Sequence, residues 1–184
     1  MNSTFTLIRP EQLTDNPFIR IGADWMLVTA GTMESFNTMT ASWGGWGVLW
    51  DKNVCFVFVR PTRYTFEFME KSERFTLTFF DEPYRQALAF CGANSGRNVN
   101  KIEKTGLKPH ATESGAVYFE QGRLVLECRK IYYQDLIPKN FIDPGTHEFY
   151  SGSDHHRLYV GEIEKCWRKT DAIKPAEGRG IDIA

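Results

Sequence analysis

The sequence predicts a mainly β protein built on a closed antiparallel sheet with a few short helices. Short runs rich in β-branched and aromatic residues recur along the 184 residues, each bounded by Gly, Pro, Asn or Ser. Helical patterns are few and short, and they do not alternate regularly with the strands, which argues against a parallel α/β sheet. No internal repeat, low-complexity tract or long linker divides the chain, so one domain over 1–184 is expected.

Taken in order, residues 25–29 form a short apolar strand, and Gly31 with Glu34 and Ser35 a turn. Residues 36–43 continue as a strand that Gly44-Gly45-Trp46-Gly47 breaks or bulges. Residues 54–59 read Val-Cys-Phe-Val-Phe-Val, a central strand ended by Pro61. Thr62 or Thr65 caps a helix running to about Lys71. Residues 75–80 alternate apolar side chains with threonine and form a half-buried strand. Pro83 starts an amphipathic helix over 84–93, the loop 94–98 follows, and a short helix over 99–104 stops at Gly106. Strands are expected at 117–119 and 124–133 around a turn at Gln121-Gly122, and a last strand at 158–167. The polar stretch 170–184 reads as a C-terminal surface arm.

Bulk properties exclude several classes of function. With 22 basic against 23 acidic residues, the net charge is −1. That lacks the net basic balance that phosphate-backbone binding needs, so nucleic acid is not expected as a partner. The longest apolar run is too short to span a membrane, and the N-terminus lacks a signal-peptide pattern. The four cysteines are dispersed, without a Cys-x-x-Cys pair, and read as reduced, buried thiols of a cytoplasmic protein. Dinucleotide-fold, P-loop and Gly-x-Ser-x-Gly motifs are missing. Asp154-His155-His156 does not read as a metal site, because adjacent residues on a strand point to opposite faces.

Two stretches carry chemistry. Residues 37–50, Asn-Thr-Met-Thr-Ala-Ser-Trp-Gly-Gly-Trp-Gly-Val-Leu-Trp, mix hydroxyls, an amide, glycines and three tryptophans, which suits a flat aromatic ligand with a polar rim. Thr38, Thr40 and Ser42 fall on one strand face and Met39, Ala41 and Trp43 on the other. Arg60-Pro-Thr-Arg-Tyr-Thr65 sets two arginines at the entrance to a helix, an arrangement that suits a phosphate. The competing reading is a pair of surface arginines bound to Glu67 or Glu70. Ser95-Gly96-Arg97, with Lys101 about one turn on, is a second anion candidate. A ring site beside an anion site suggests a phosphorylated aromatic cofactor.

These stretches, with residues 75–80, 91–97 and 156–163, occur in the order seen in the flavin reductase-like, FMN-binding split-barrel proteins. The chain resembles that family over about 20–168, and the flavoredoxin branch above all. The resemblance implies a six-stranded Greek-key split barrel, a homodimer, and FMN near the subunit interface. It implies that Asn37, Thr38, Met39, Thr40, Ala41, Ser42 and Trp43 line the isoalloxazine. Arg60, Arg63, Tyr64 and Thr65 would hold the phosphate and ribityl chain, with Ser95, Gly96, Arg97 and Lys101 closing over that end. The family commonly has acids where Asn98 and Asn100 stand, and these neutral amides form no salt bridge there. The implied activity is hydride transfer from NAD(P)H to flavin, with electrons passed on to an acceptor such as a monooxygenase or redox-protein partner. The alternative is a non-enzymatic FMN electron carrier. In either case no side chain is expected to act as a catalytic acid or base.

Overall fold

The computed structural model describes residues 4–150, 152 and 154–170. The proposed arm therefore lies, beyond residue 170, outside the described residues. Ten strands are present among them: β1 (Phe5–Ile8), β2 (Met26–Thr32), β3 (Ser35–Ala41), β4 (Gly44–Leu49), β5 (Lys52–Val59), β6 (Arg74–Phe79), β7 (Pro109–Ala111), β8 (Val117–Phe119), β9 (Leu124–Asp135) and β10 (Arg157–Lys169). Three α-helices accompany them: α1 (Tyr64–Lys71), α2 (Arg85–Ala93) and α3 (Lys101–Thr105).

Eight strands form one antiparallel sheet in the order β3-β2-β6-β9-β10-β5-β4. In it β1 pairs with the C-terminal half of β10, beyond the stretch that pairs with β5. β7 and β8 form a separate hairpin. The expectation of six strands in a closed sheet is thus corrected. Among the described residues no ladder joins β3 to β4, so the sheet curls without closing. Side chains from both of its ends nevertheless share one core: Met39 and Ala41 from β3 pack with Cys55, Val57 and Val59 from β5, around Phe75, Leu77, Leu126 and Tyr159.

The Gly-Gly-Trp-Gly run does not break a strand as expected; it is part of β4, an edge strand that among the described residues pairs only with β5. An edge tolerates glycine, because one side makes no ladder. The break falls two residues earlier, at Ser42-Trp43. Since β3 and β4 lie at opposite ends of the sheet, this dipeptide is the covalent bridge across the split.

β2 is buried on both faces, Met26 and Val28 in the main core and Leu27 in a second cluster with Leu88 and Cys91 of α2 and Phe119 of β8. Helix α1 starts after Arg63, whose side chain makes no cap bond, so neither Thr62 nor Thr65 is the cap. Asn100 caps α3 by accepting from the N–H groups of Ile102 and Glu103, which an aspartate there would also do. α3 ends at Gly106 in the left-handed region. All four cysteines are free and buried. Among the described residues no helix is long and apolar enough to cross a membrane, and no group of three or more His, Cys, Asp and Glu is placed to hold a metal.

Gly161 of β10 lies opposite Cys55 of β5 and beside a register shift against β9. Over it the thiols of Cys55 and Cys128 meet at 3.3 Å. A Cβ at this position would fall 2.6 Å from Phe75 Cζ and 2.9 Å from Cys128 Cβ. G161A is expected to lower the urea midpoint at constant m, by the equivalent of about 1–3 kcal/mol. An unchanged midpoint would show that the packing across β10 yields readily.

Candidate functional site

A hollow of about 200 Å³ opens where β3, the start of α1 and the loop after α2 converge. Its walls are Asn37 and Met39 of β3, Thr62, Arg63, Tyr64 and Thr65 at the head of α1, residues 93–96 after α2, and Lys101 at the head of α3. Both basic stretches singled out in the sequence therefore contribute to one cavity.

Lys101 is its deepest cation, only 6% exposed. Its Nζ donates to the carbonyl oxygens of Thr38 (2.7 Å) and Cys91 (2.8 Å), tying α3 to both β3 and α2. Among the described residues Lys101 has no acidic partner. Burial pulls its pKa below the usual lysine range, and the positive field of Arg63 adds to that. Arg63, also on the wall, donates to Gly92 O at 2.8 Å and likewise forms no ion pair among the described residues. Two cations without an acid face one hollow, which is the electrostatic signature of an anion site. Burial pushes the Cys91 thiol upward, in keeping with a packing role for that residue.

The floor is fixed by short contacts. Asn37 Nδ2 donates to Thr65 Oγ1 at 2.7 Å, joining β3 to α1. The backbone at Gly96 presses onto this pair, and a Cβ there would lie 2.0 Å from Asn37 Oδ1 and 3.2 Å from the Tyr64 ring. The Ser95-Gly96 turn closes over Asn37 only because residue 96 has no side chain.

The remaining expected residues are distributed differently. Thr38 and Thr40 do not offer their hydroxyls to the hollow: Thr38 Oγ1 bonds Thr29 Oγ1 at 2.8 Å, and Thr40 Oγ1 donates to Leu88 O at 2.5 Å. Ala41 is buried in the core, whereas Ser42 and Trp43 lie at the split, Trp43 being 40% exposed. Arg97 stands outside the hollow, stacked over Tyr64 at 4.7 Å and paired with Glu67. Arg60 also stands outside. It donates to Asp154 Oδ2 (3.0 Å) and Phe149 O (2.6 Å) and lies over the Tyr150 ring. Glu67 thus takes Arg97 and Glu70 takes Arg157, and neither holds Arg60 or Arg63.

Beside the split, Trp43 meets Phe149 edge-to-face with centroids 5.3 Å apart, and His156 at 5.0 Å. His156 is buried, and Tyr150 Oη lies 2.8 Å from its Nδ1. Burial, helped by the charge of Arg60, lowers its pKa to about 4, so the ring is neutral near pH 7. Sequence reading missed Ala93 and Asn94 as wall residues and the whole Phe149–Asp154 contact with Arg60. Asp154 lies 94 residues from Arg60, and no local pattern joins them.

No curated protein matches the sequence. Among solved structures, a flavoredoxin from Methanosarcina acetivorans is 21% identical with TM-score 0.63, over 80% of this chain and 69% of that one. An FMN-binding domain of a flavin reductase-like enzyme from Shewanella baltica is 17% identical with TM-score 0.66, over 90% and 78% of the two chains. An NADH:FAD oxidoreductase from Streptomyces globisporus, solved with NAD and FAD fragments, is 17% identical with TM-score 0.58, over 79% and 74%. At these identities the likeness is one of fold. The flavin reductase like domain model matches residues 19–177, most of the sequence, and the chain belongs to that family.

Proposed function

We propose that this protein binds FMN, with the phosphate in the hollow between Arg63 and Lys101, and works as an NAD(P)H-dependent flavin reductase-type oxidoreductase. The observation that carries this reading is the buried Lys101 ammonium, uncompensated by any acid among the described residues, sharing a polar cavity with the exposed and likewise unpaired Arg63. A flavin held there supplies hydride acceptance and electron release to an acceptor.

The protein's own part is positioning. Arg63 and Lys101 supply charge-assisted donors, and Thr65, whose oxygen already accepts from Asn37, has its hydroxyl hydrogen to give. Ser95 and Gly96 form the lid of this end. A 200 Å³ hollow is smaller than the roughly 300–1,000 Å³ that encloses a whole ligand of this size. The ring system therefore extends out of it, past Met39 toward Ser42 and Trp43 at the split. A ring placed there has an open side, which a second copy of the chain would cover, and we include a homodimer in the proposal. Structural relatives described as a flavoredoxin and as an NADH:FAD oxidoreductase support the two versions of this reading, electron carrier and reductase. The reductase is preferred because the exposed Trp43–Phe149 surface leaves room for a planar donor.

Loss of one charge-assisted contact to phosphate corresponds to about 1.5–3 kcal/mol. R63A and K101M are each expected to weaken FMN binding about 10- to 100-fold while changing riboflavin affinity less than about threefold. Equal losses for both ligands would remove the phosphate from this hollow. Anaerobic mixing with NADH or NADPH is expected to bleach the flavin absorbance. Persistence of the oxidised spectrum with both donors would favour the carrier. By size exclusion the protein is expected near twice 21.2 kDa, and a monomer that retains FMN would refute the interface site.

A further inference from the structure

The segment joining β9 to β10 forms a strap closed at its base, where Leu136 N–H donates to His156 O at 2.9 Å. Its described residues are largely exposed, including Ile142 at 97% and Phe149 at 57%. Such a strap has little core of its own to hold its position. Within it Tyr150, His155 and Phe141 cluster, the Tyr150 ring stacked on His155 (centroids 4.4 Å) and parallel to Phe141 (5.8 Å), with Phe141 and His155 5.7 Å apart. The strap's polar tie to the sheet is Arg60, just after β5. One guanidinium nitrogen holds Asp154, a second holds the Phe149 carbonyl, and Cζ lies 5.1 Å from the Tyr150 centroid. Asp154 Oδ1 makes no side-chain hydrogen bond, and Arg60 is the one ion-pair partner of that carboxylate among the described residues.

Resting on the FMN reading above, we infer that Arg60 is a positioning residue rather than a phosphate ligand: with Asp154 it clasps the strap so that Phe149 and His156 stand against Trp43, and the aromatic wall so formed receives the nicotinamide ring of the electron donor. Hydride transfer needs donor and acceptor rings within about 3–3.5 Å, so the donor ring must lie beside the split. The wall borders that place. Trp43 and Phe149 present apolar surface there, and His156 is buried behind them with Tyr150 fixing its Nδ1. A flat apolar wall fits a nicotinamide, whereas a guanidinium already saturated by a carboxylate and a carbonyl is a poor phosphate ligand.

The two roles for Arg60 predict opposite behaviour of its partner. In the full-length protein, R60A and D154N are expected to act alike. Each raises the KM for the nicotinamide donor at least fivefold with a smaller change in kcat, and the double variant is no worse than either single one. The ratio of FMN to riboflavin affinity stays within threefold of the wild-type value, whereas R63A shifts it. Hydrogen exchange on ligand-free protein is expected to show faster exchange over residues 141–150 in both variants. A tenfold loss of FMN affinity in R60A that spares riboflavin and is absent from D154N would make Arg60 a phosphate ligand and overturn the inference. Unaltered strap exchange in R60A would overturn the clasp even if the protein proved to bind no flavin. A wild-type protein that binds FMN but oxidises neither NADH nor NADPH would refute the donor wall while leaving the phosphate site standing.

Discussion

The site depends on one buried ammonium. Lys101 Nζ is held by two backbone carbonyls, one from β3 and one from the last turns of α2, so a single cation joins the helical layer to the edge of the sheet. Two neutral acceptors do not neutralise a charge, and burial makes the ionised form costly. With Arg63 adding repulsion, the free protein carries an electrostatic cost that an anion in the hollow relieves. The proposed affinity of the hollow for a phosphate and the lowered pKa of Lys101 are two expressions of the same constraint.

The second organising feature is the split. A sheet that curls without closing leaves two ends, and the chain passes between them through Ser42-Trp43. This leaves a tryptophan exposed just after β3, where Phe149 of the strap between β9 and β10, held by Arg60, meets it. The polar hollow draws on β3, and the aromatic wall on the dipeptide that follows it. Each is assembled from segments far apart in sequence.

Much of this was legible in the sequence where the signal is local. The runs at 54–59, 75–80 and 117–119 fall on strands, because β-branched and aromatic alternation is a short-range property. Gly106 ends α3 as expected. The short edge elements β1 and β7 went unread, since a strand that acquires its partner from across the chain needs no strong pattern of its own. The Gly-Gly-Trp-Gly run misled for a related reason: glycine is unfavourable in a central strand, but β4 lies at an edge. In the site, residue type and spacing singled out two separate anion candidates, residues 60–65 and residues 95–97 with Lys101, and only the family resemblance joined them; Arg63, Thr65, Gly96 and Lys101 do line one hollow. Residue type and spacing could not distinguish Arg63 from Arg60, because which of two arginines faces a cavity is decided by Asp154 and Phe149, about ninety residues on. The threonine hydroxyls of β3 were likewise assigned to a ligand, whereas Thr29 and Leu88 use them within the fold.

The most direct test is an NMR titration of the Lys101 side chain, read from lysine Nζ signals assigned by comparison with K101M, in the free protein and with FMN bound. The account predicts a pKa below the ordinary lysine value near 10.4 in the free protein, rising when FMN binds because the phosphate stabilises the charged form. By linkage, FMN affinity then falls as pH is raised through the bound-state pKa. A Lys101 pKa that is unmoved by FMN, or lowered by it, would contradict the claim that this buried cation is the phosphate-binding centre.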